Sequence, residues 1–162
     1  MPRCEVEMVD TQKSVAKLRK RILLVDDDED TRIMMRFLLL EYGYEPIIAT
    51  SLSDALESAR AGGFALCILD HWITRSKGTE LCQQIRAFDS FTPILFYSGS
   101  GYKSDITEGL NAGAQAYVVK PDFEGLMQSI AKLVDQPDSE APHYQSQKPC
   151  DSPSDRSESS QG

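Results

Sequence analysis

The chain has 162 residues, 17 Lys+Arg against 25 Asp+Glu, a formal net charge of -8 and 41% hydrophobic residues. That length and composition suit one packed domain, and the acidity argues against a sequence-independent nucleic-acid binder, which needs clustered cations to neutralise phosphates. No apolar run approaches the roughly 20 residues of a spanning helix, and residues 1–21 lack the apolar centre of a secretory signal, so the expectation is a cytoplasmic protein with no membrane role.

The charge is unevenly spread. Residues 1–21 set six basic residues against three acidic ones, a net of +3, and residues 135–162 set two against six, a net of -4. The middle, 22–134, carries nine basic and sixteen acidic residues, a net of -7. The final stretch holds four of the eight prolines and seven serines, too few apolar groups to offset its ordering entropy. The expected organisation is an N-terminal extension over 1–20, one domain over 21–135 and a disordered Ser/Pro/acidic tail over 136–162. Residues 11–20 allow a short helix.

Within the middle segment, Ile22-Leu23-Leu24-Val25 reads as a buried strand ending in Asp26-Asp27-Asp28, followed by a helix from Thr31 to Tyr42 that Gly43 stops. Tyr44 to Thr50 forms a second strand, placed at a sheet edge because Pro46 cannot donate to a ladder. Ser53 is the predicted cap of a helix reaching Arg60, with Gly62-Gly63 ending it. Phe64 to Leu69 is the third strand and runs into Asp70; Thr79 to Phe88 is helical. Pro93 to Tyr97 is the fourth strand, followed by Ser98-Gly99. A short helix from Asp105 to Ala112, a fifth strand from Ala116 to Val119 and a last helix from Asp122 to Val134 complete the pattern. Strands apolar on both faces and alternating with helices indicate an α/β doubly wound, five-stranded parallel sheet covered on both sides.

Cys67 and Cys82 fall in apolar patterns and read as small core residues, while Cys4 and Cys150 fall in the terminal segments. With His71 and His143 the only histidines, a zinc site of the usual Cys/His type lacks properly spaced ligands. In open parallel sheets, ligands bind at the carboxyl ends of the strands where the winding reverses. Those ends carry Asp26, Asp27, Asp70, Ser98 and Lys120. Asp26 to Asp28 also suits a solvated helix N-terminus, and Lys120 and Ser98 suit ordinary surface positions; it is their convergence on one rim that points to a site. His71 directly follows Asp70, but adjacent strand side chains point to opposite faces, which makes it a bystander.

Four motifs carry a family resemblance: Ile22-Leu23-Leu24-Val25-Asp26-Asp27-Asp28, Cys67-Ile68-Leu69-Asp70 with Gly78 eight residues on, Pro93-Ile94-Leu95-Phe96-Tyr97-Ser98, and Ala112-Gly113-Ala114-Gln115-Ala116-Tyr117-Val118-Val119-Lys120-Pro121. Over about residues 20–135 the chain resembles the response-regulator receiver domains of two-component signalling. The resemblance implies the flavodoxin-like strand order 2-1-3-4-5 and a phosphoacceptor at Asp70, served by a sensor histidine kinase or histidine phosphotransfer protein. It also implies Lys120 and Ser98 as catalytic groups, a Ser98/Tyr117 switch, and a cis Lys120-Pro121 bond. Two carboxylates about 4 Å apart repel by roughly 4 kcal/mol at an effective dielectric of 20, so the acidic rim should protonate or bind a cation. Mg2+ (or Mn2+) suits it, with Asp27 and Asp70 as direct ligands, Asp26 acting through water, and, by the resemblance, the backbone carbonyl of Trp72.

No output domain is expected after residue 135, so the reading is a stand-alone regulator without direct DNA binding. It would signal to a protein partner across the face of the fourth helix, fifth strand and fifth helix. Thr74 stands where the family usually has proline, and Trp72, Arg75 and Lys77 make the loop after Asp70 atypical, leaving a pseudo-receiver that works without phosphorylation as the alternative. A magnesium-dependent phosphatase of the haloacid-dehalogenase type is disfavoured because neither D-x-D frame has Thr or Val two residues on. A flavin carrier is disfavoured because three repelling aspartates replace its hydroxyl-rich phosphate loop.

Overall fold

The structure is a computed structural model and describes residues 19–135. The expected helix over 11–20 (apart from Arg19 and Lys20), the tail from 136, and Cys4, His143 and Cys150 lie outside the described residues.

The elements run β1 (Arg21–Val25), α1 (Glu29–Glu41), β2 (Glu45–Ala49), α2 (Leu52–Ala61), β3 (Leu66–Leu69), β4 (Trp72–Ile73), β5 (Ser76–Lys77), α3 (Gly78–Arg86), β6 (Ile94–Ser98), α4 (Lys103–Asn111), β7 (Ala116–Val119) and α5 (Phe123–Asp135). The main sheet is parallel in the order β2-β1-β3-β6-β7. Since the β4–β5 hairpin intervenes, β6 and β7 are the fourth and fifth strands of the sequence pattern, and the order is the expected 2-1-3-4-5. Pro46 sits in β2 opposite Ile22, at the sheet edge where its missing N–H breaks no inner ladder.

Alternation along the strands sorts the core into two layers. Ile22, Leu24, Leu66, Ile68, Leu95 and Tyr97 pack with Met35 and Leu39 of α1 and with Leu126 and Ile130 of α5. Their neighbours Leu23, Val25, Cys67, Leu69, Ile94 and Phe96 pack on the other side with Ala55 of α2 and Leu81, Cys82 and Ile85 of α3. Cys67 and Cys82 are buried, as expected, and burial pushes their thiols up to about 12 and about 11.

Several boundaries differ from the sequence reading, each for a local reason. Helix α1 starts two residues early because Asp28 caps it, its carboxylate accepting the Thr31 N–H at 2.7 Å. Helix α2 is capped by Ser51 rather than Ser53: the extended Ser51 accepts the Asp54 N–H at 3.2 Å, and Ser53 lies inside the helix. The third strand begins at Leu66, two residues later than expected. The β4–β5 hairpin was not foreseen, since two-residue strands carry too little periodicity to register.

Gly78 explains why that hairpin can close against α3. Its N–H donates to the His71 carbonyl at 2.7 Å, and a Cβ built there would run into the Asp70 carbonyl oxygen. Gly78→Ala must therefore displace the loop that presents Asp70. The expected loss is about 1–3 kcal/mol, the usual range for overpacking, measured by urea unfolding. An unchanged midpoint would show that the loop yields freely.

Candidate functional site

Three strand ends build the acidic rim. The β1 ladder delivers Asp26 and Asp27, β3 delivers Asp70, and β7 delivers Lys120. The Lys120 ammonium lies 2.7 Å from Asp26 Oδ2 and 3.3 Å from Asp70 Oδ2, bridging the two carboxylates. It also lies over the Tyr97 ring, 5.5 Å from the centroid, a cation–π contact.

The remaining carboxylate oxygens are held by backbone donors. Asp26 Oδ1 accepts the Asp28 N–H at 2.9 Å, Asp70 Oδ1 accepts the His71 N–H at 2.6 Å, and Asp27 Oδ2 accepts the Thr74 N–H at 2.6 Å. Arg32 reaches the rim as well, donating to the Asp26 carbonyl at 3.1 Å and not to its carboxylate. The Thr74 contact is tied to an unusual backbone: its φ is +58°, a left-handed conformation that a β-branched residue adopts at a penalty and that proline cannot adopt at all. Threonine at this position is thus compatible with a turn that aims an N–H at Asp27, where a proline would have no donor. Neither Thr74 nor Arg32 was marked as a site residue by the sequence; the positive φ and the reach across 47 positions leave no local signature.

Asp26 is 1% exposed, and burial raises its carboxyl above the ordinary aspartate range despite the opposing hydrogen bond from Lys120. Burial pulls Lys120 down, but its hydrogen bond to Asp26 and the charge of Asp70 outweigh this and hold the ammonium above the usual lysine value. The lysine therefore stays charged at neutrality, and the strain of the cluster falls on the buried carboxylate.

One oxygen from each of Asp26, Asp27 and Asp70 lies within 4.8 Å of the others. The three carboxylates converge beside one ammonium, which touches Asp26 and Asp70, and their hard oxygens make a donor set that fits Mg2+ or Mn2+. Trp72 stands two residues beyond Asp70 at the start of β4, its indole half exposed beside Lys77.

Ser98 ends β6, 1% exposed, and its carbonyl accepts the Lys120 N–H at 2.8 Å, so it adjoins the lysine through the β6–β7 ladder. Tyr117 belongs to the opposite layer: its ring stacks on Phe96 at 5.7 Å and its hydroxyl donates to the Ser100 carbonyl at 2.9 Å. The missing side chain of Gly109 makes room for both rings under α4; a Cβ there would approach each to 3.0 Å. The Lys120-Pro121 bond is cis.

Comparison with known proteins decides the family. Residues 22–131 match the model of the response regulator receiver domain. This chain belongs to the response regulator receiver family. Among curated relatives of this receiver, the nisin biosynthesis regulatory protein NisR of Lactococcus lactis subsp. lactis is 36% identical over 113 residues, covering 70% of this chain and 48% of that protein. The alkaline phosphatase synthesis transcriptional regulatory protein PhoP of Bacillus subtilis is 33% identical over 104 residues, covering 64% of this chain and 43% of that protein. The chain thus spans about half the length of the curated relatives it matches. Among solved structures, the response regulator TrrA of Thermotoga maritima, in complex with Mg2+-BeF, is 34% identical with a TM-score of 0.64, covering 70% of this chain and 98% of that one. The chemotaxis protein CheY4 of Vibrio cholerae is 29% identical with a TM-score of 0.67, covering 71% and 98%. The receiver family is a class of signalling phosphoacceptors phosphorylated by histidine kinases, not of conventional enzymes. Among the described residues, no helix is long and apolar enough to cross a membrane.

The electrostatics of this receiver give a pH signature. A carboxyl whose pKa is raised on folding binds more protons folded than unfolded, so Asp26 removes stability as pH rises above about 4, its unfolded range. Asp28, Asp89, Asp105 and Glu108 are shifted down and act oppositely, removing stability as pH falls through the carboxylate range. Without divalent ions, thermal stability should peak on the acid side of neutrality. Saturating Mg2+ should move that peak upward, because ligation requires ionised carboxylates. Melting curves across pH 4 to 8 with EDTA or Mg2+ check this; coincident curves would contradict it.

Proposed function

We propose that this chain accepts a phosphoryl group on Asp70 from a sensor histidine kinase or histidine phosphotransfer protein and signals through a conformational switch to a protein partner. The carrying observation is the unequal hold on the two Asp70 oxygens. Oδ1 is fixed by the His71 N–H at 2.6 Å, whereas among the described residues Oδ2 is held only by Lys120 at 3.3 Å and is the freer nucleophile.

In the proposed transfer, an Asp70 Oδ2 lone pair attacks the donor's phosphorus. A P–O bond forms as the P–N bond to the donor imidazole breaks, and the imidazole nitrogen keeps that electron pair. The Lys120 ammonium, already between Asp26 and Asp70, balances charge on the phosphoryl oxygens, and the Ser98 hydroxyl at the adjoining strand end supplies a hydrogen bond. Asp26, Asp27, Asp70 and the Trp72 carbonyl are the proposed holders of Mg2+ (or Mn2+), which would supply charge neutralisation and orientation of the phosphoryl oxygens. TrrA, at 34% identity, was crystallised with Mg2+-BeF, which supports this choice.

The proposed output runs from Ser98 to Tyr117 and α4, ending at the face of α4, β7 and α5. Leu110 at 44% and Phe123 at 40% exposure offer apolar contacts there. Nine basic against sixteen acidic residues over 22–134 make this segment ill suited to phosphate backbones, so the proposed partner is a protein and not DNA.

Incubation with a small acyl-phosphate donor and Mg2+ should add one phosphoryl group to the wild-type mass and none to Asp70→Asn. Beryllium fluoride should change the fluorescence of Trp72, the only tryptophan, in an Asp70-dependent way. Equal labelling of both proteins, or none of either, would defeat the proposal.

A further inference from the structure

On the other side of the sheet from the acidic rim, His71 lies fully buried, with 0% of its surface exposed. Its ring is packed among Trp72, Phe96 and Tyr117, with centroids 5.5, 6.0 and 6.2 Å away. Those rings give its nitrogens no hydrogen bonds, and among the described residues neither Nδ1 nor Nε2 has a partner. A buried imidazole with both nitrogens unpaired is unusual, since buried polar atoms nearly always find one.

The polar groups that His71 does face come from α4. Nε2 lies 3.7 Å from Glu108 Oε2, and one ligand atom each from His71, Asp105 and Glu108 lies within 4.8 Å of the other two. Asp105 and Glu108 are three apart on the helix and so project from one face. Both are oriented by other groups. Ser100 and Ser104 donate to Asp105, and Lys77 and Thr79 donate to Glu108. The Ser100 hydrogen bond holds the Asp105 carboxyl below the usual range and the Lys77 hydrogen bond does the same for Glu108, so both are anionic acceptors at neutrality.

We infer that His71 Nε2, Asp105 and Glu108 form a second divalent-metal site, for Zn2+ and not Mg2+. One imidazole nitrogen with two carboxylates is a borderline donor set that suits zinc, whereas magnesium prefers oxygens alone and retains its waters. Hydroxyl and ammonium donors around the carboxylates are the outer contacts that orient ligands in such sites. The ion reaches His71 past Glu108 and Lys77, whose side chains are 40% and 39% exposed, with the Lys77 ammonium swinging away as the metal takes its place beside Glu108. This chemistry differs from the Cys/His type that the sequence argued against: two of its three ligands are carboxylates more than 30 positions beyond the histidine in the chain. Filling the site would tie α4 to the loop that carries Asp70. The inference does not depend on phosphorylation of Asp70.

The test uses the full chain with saturating Mg2+ to occupy the acidic rim. Zn2+ is titrated against a chromophoric chelator, and the imidazole 15N resonances of His71 are followed. Wild type should bind zinc with a large shift at His71 Nε2, and Asp105→Asn and Glu108→Gln should each weaken that binding at least tenfold while keeping the wild-type circular dichroism spectrum. Both substitutions are isosteric and lie on a partly exposed helix face, so they do not depend on a fully buried position tolerating change. His71 resonances that stay unchanged at zinc saturation, or two variants that bind zinc as tightly as wild type, would overturn the inference.

Discussion

A single ammonium standing between two carboxylates is the constraint on which this domain turns. Asp26 and Asp70 come from neighbouring parallel strands, and the β1–β3 ladder fixes their separation before any ligand arrives. Lys120 must cross from β7, two strands beyond β3, to reach both. Removing that cation would leave a buried Asp26 unpaired, a situation that commonly destabilises by about 3–5 kcal/mol. The two core layers make such a rim sustainable: apolar side chains above and below β1, β3 and β6 hold the strand ends rigid against repulsion that would otherwise splay them.

The same alternation that builds the two layers separates the chemistry. Asp26, Asp70 and Lys120 continue the strand positions whose partners pack against α1 and α5, while Tyr117 belongs to the layer under α3 and α4 and His71 packs against its rings. The proposed switch therefore has a short path from the rim to the opposite face. It passes through Ser98, whose carbonyl is bonded to the Lys120 N–H, and then to Ser100, whose carbonyl accepts from Tyr117. Gly109 keeps this route open by leaving α4 without a side chain above the rings of Phe96 and Tyr117.

Much of this was readable from the chain because the governing signals are local and periodic. Runs such as Ile22 to Val25 and Leu66 to Leu69 are apolar at every position, which only a strand covered on both faces requires, and Pro46 marked the edge. The rim could be anticipated because each of its residues ends a strand. What escaped were features set by contact between distant segments. The β4–β5 turn depends on Thr74 adopting φ +58° with its N–H on Asp27, and Ser51 displaced Ser53 as a cap through backbone geometry that composition does not encode. His71 did turn away from the rim as alternation implied, yet its approach to Glu108 follows from how α4 packs, which sequence spacing does not reveal.

The central claim, that Lys120 poises one Asp70 oxygen for phosphoryl transfer, is tested most directly by locating the phosphoryl group itself. Reduction of the phosphorylated chain with borohydride converts an acyl phosphate to homoserine, and peptide mass spectrometry then reports its position. The account predicts homoserine at position 70 and at neither 26 nor 27. Conversion at Asp26 or Asp27, or at none of the three in a chain shown to carry label, would contradict it.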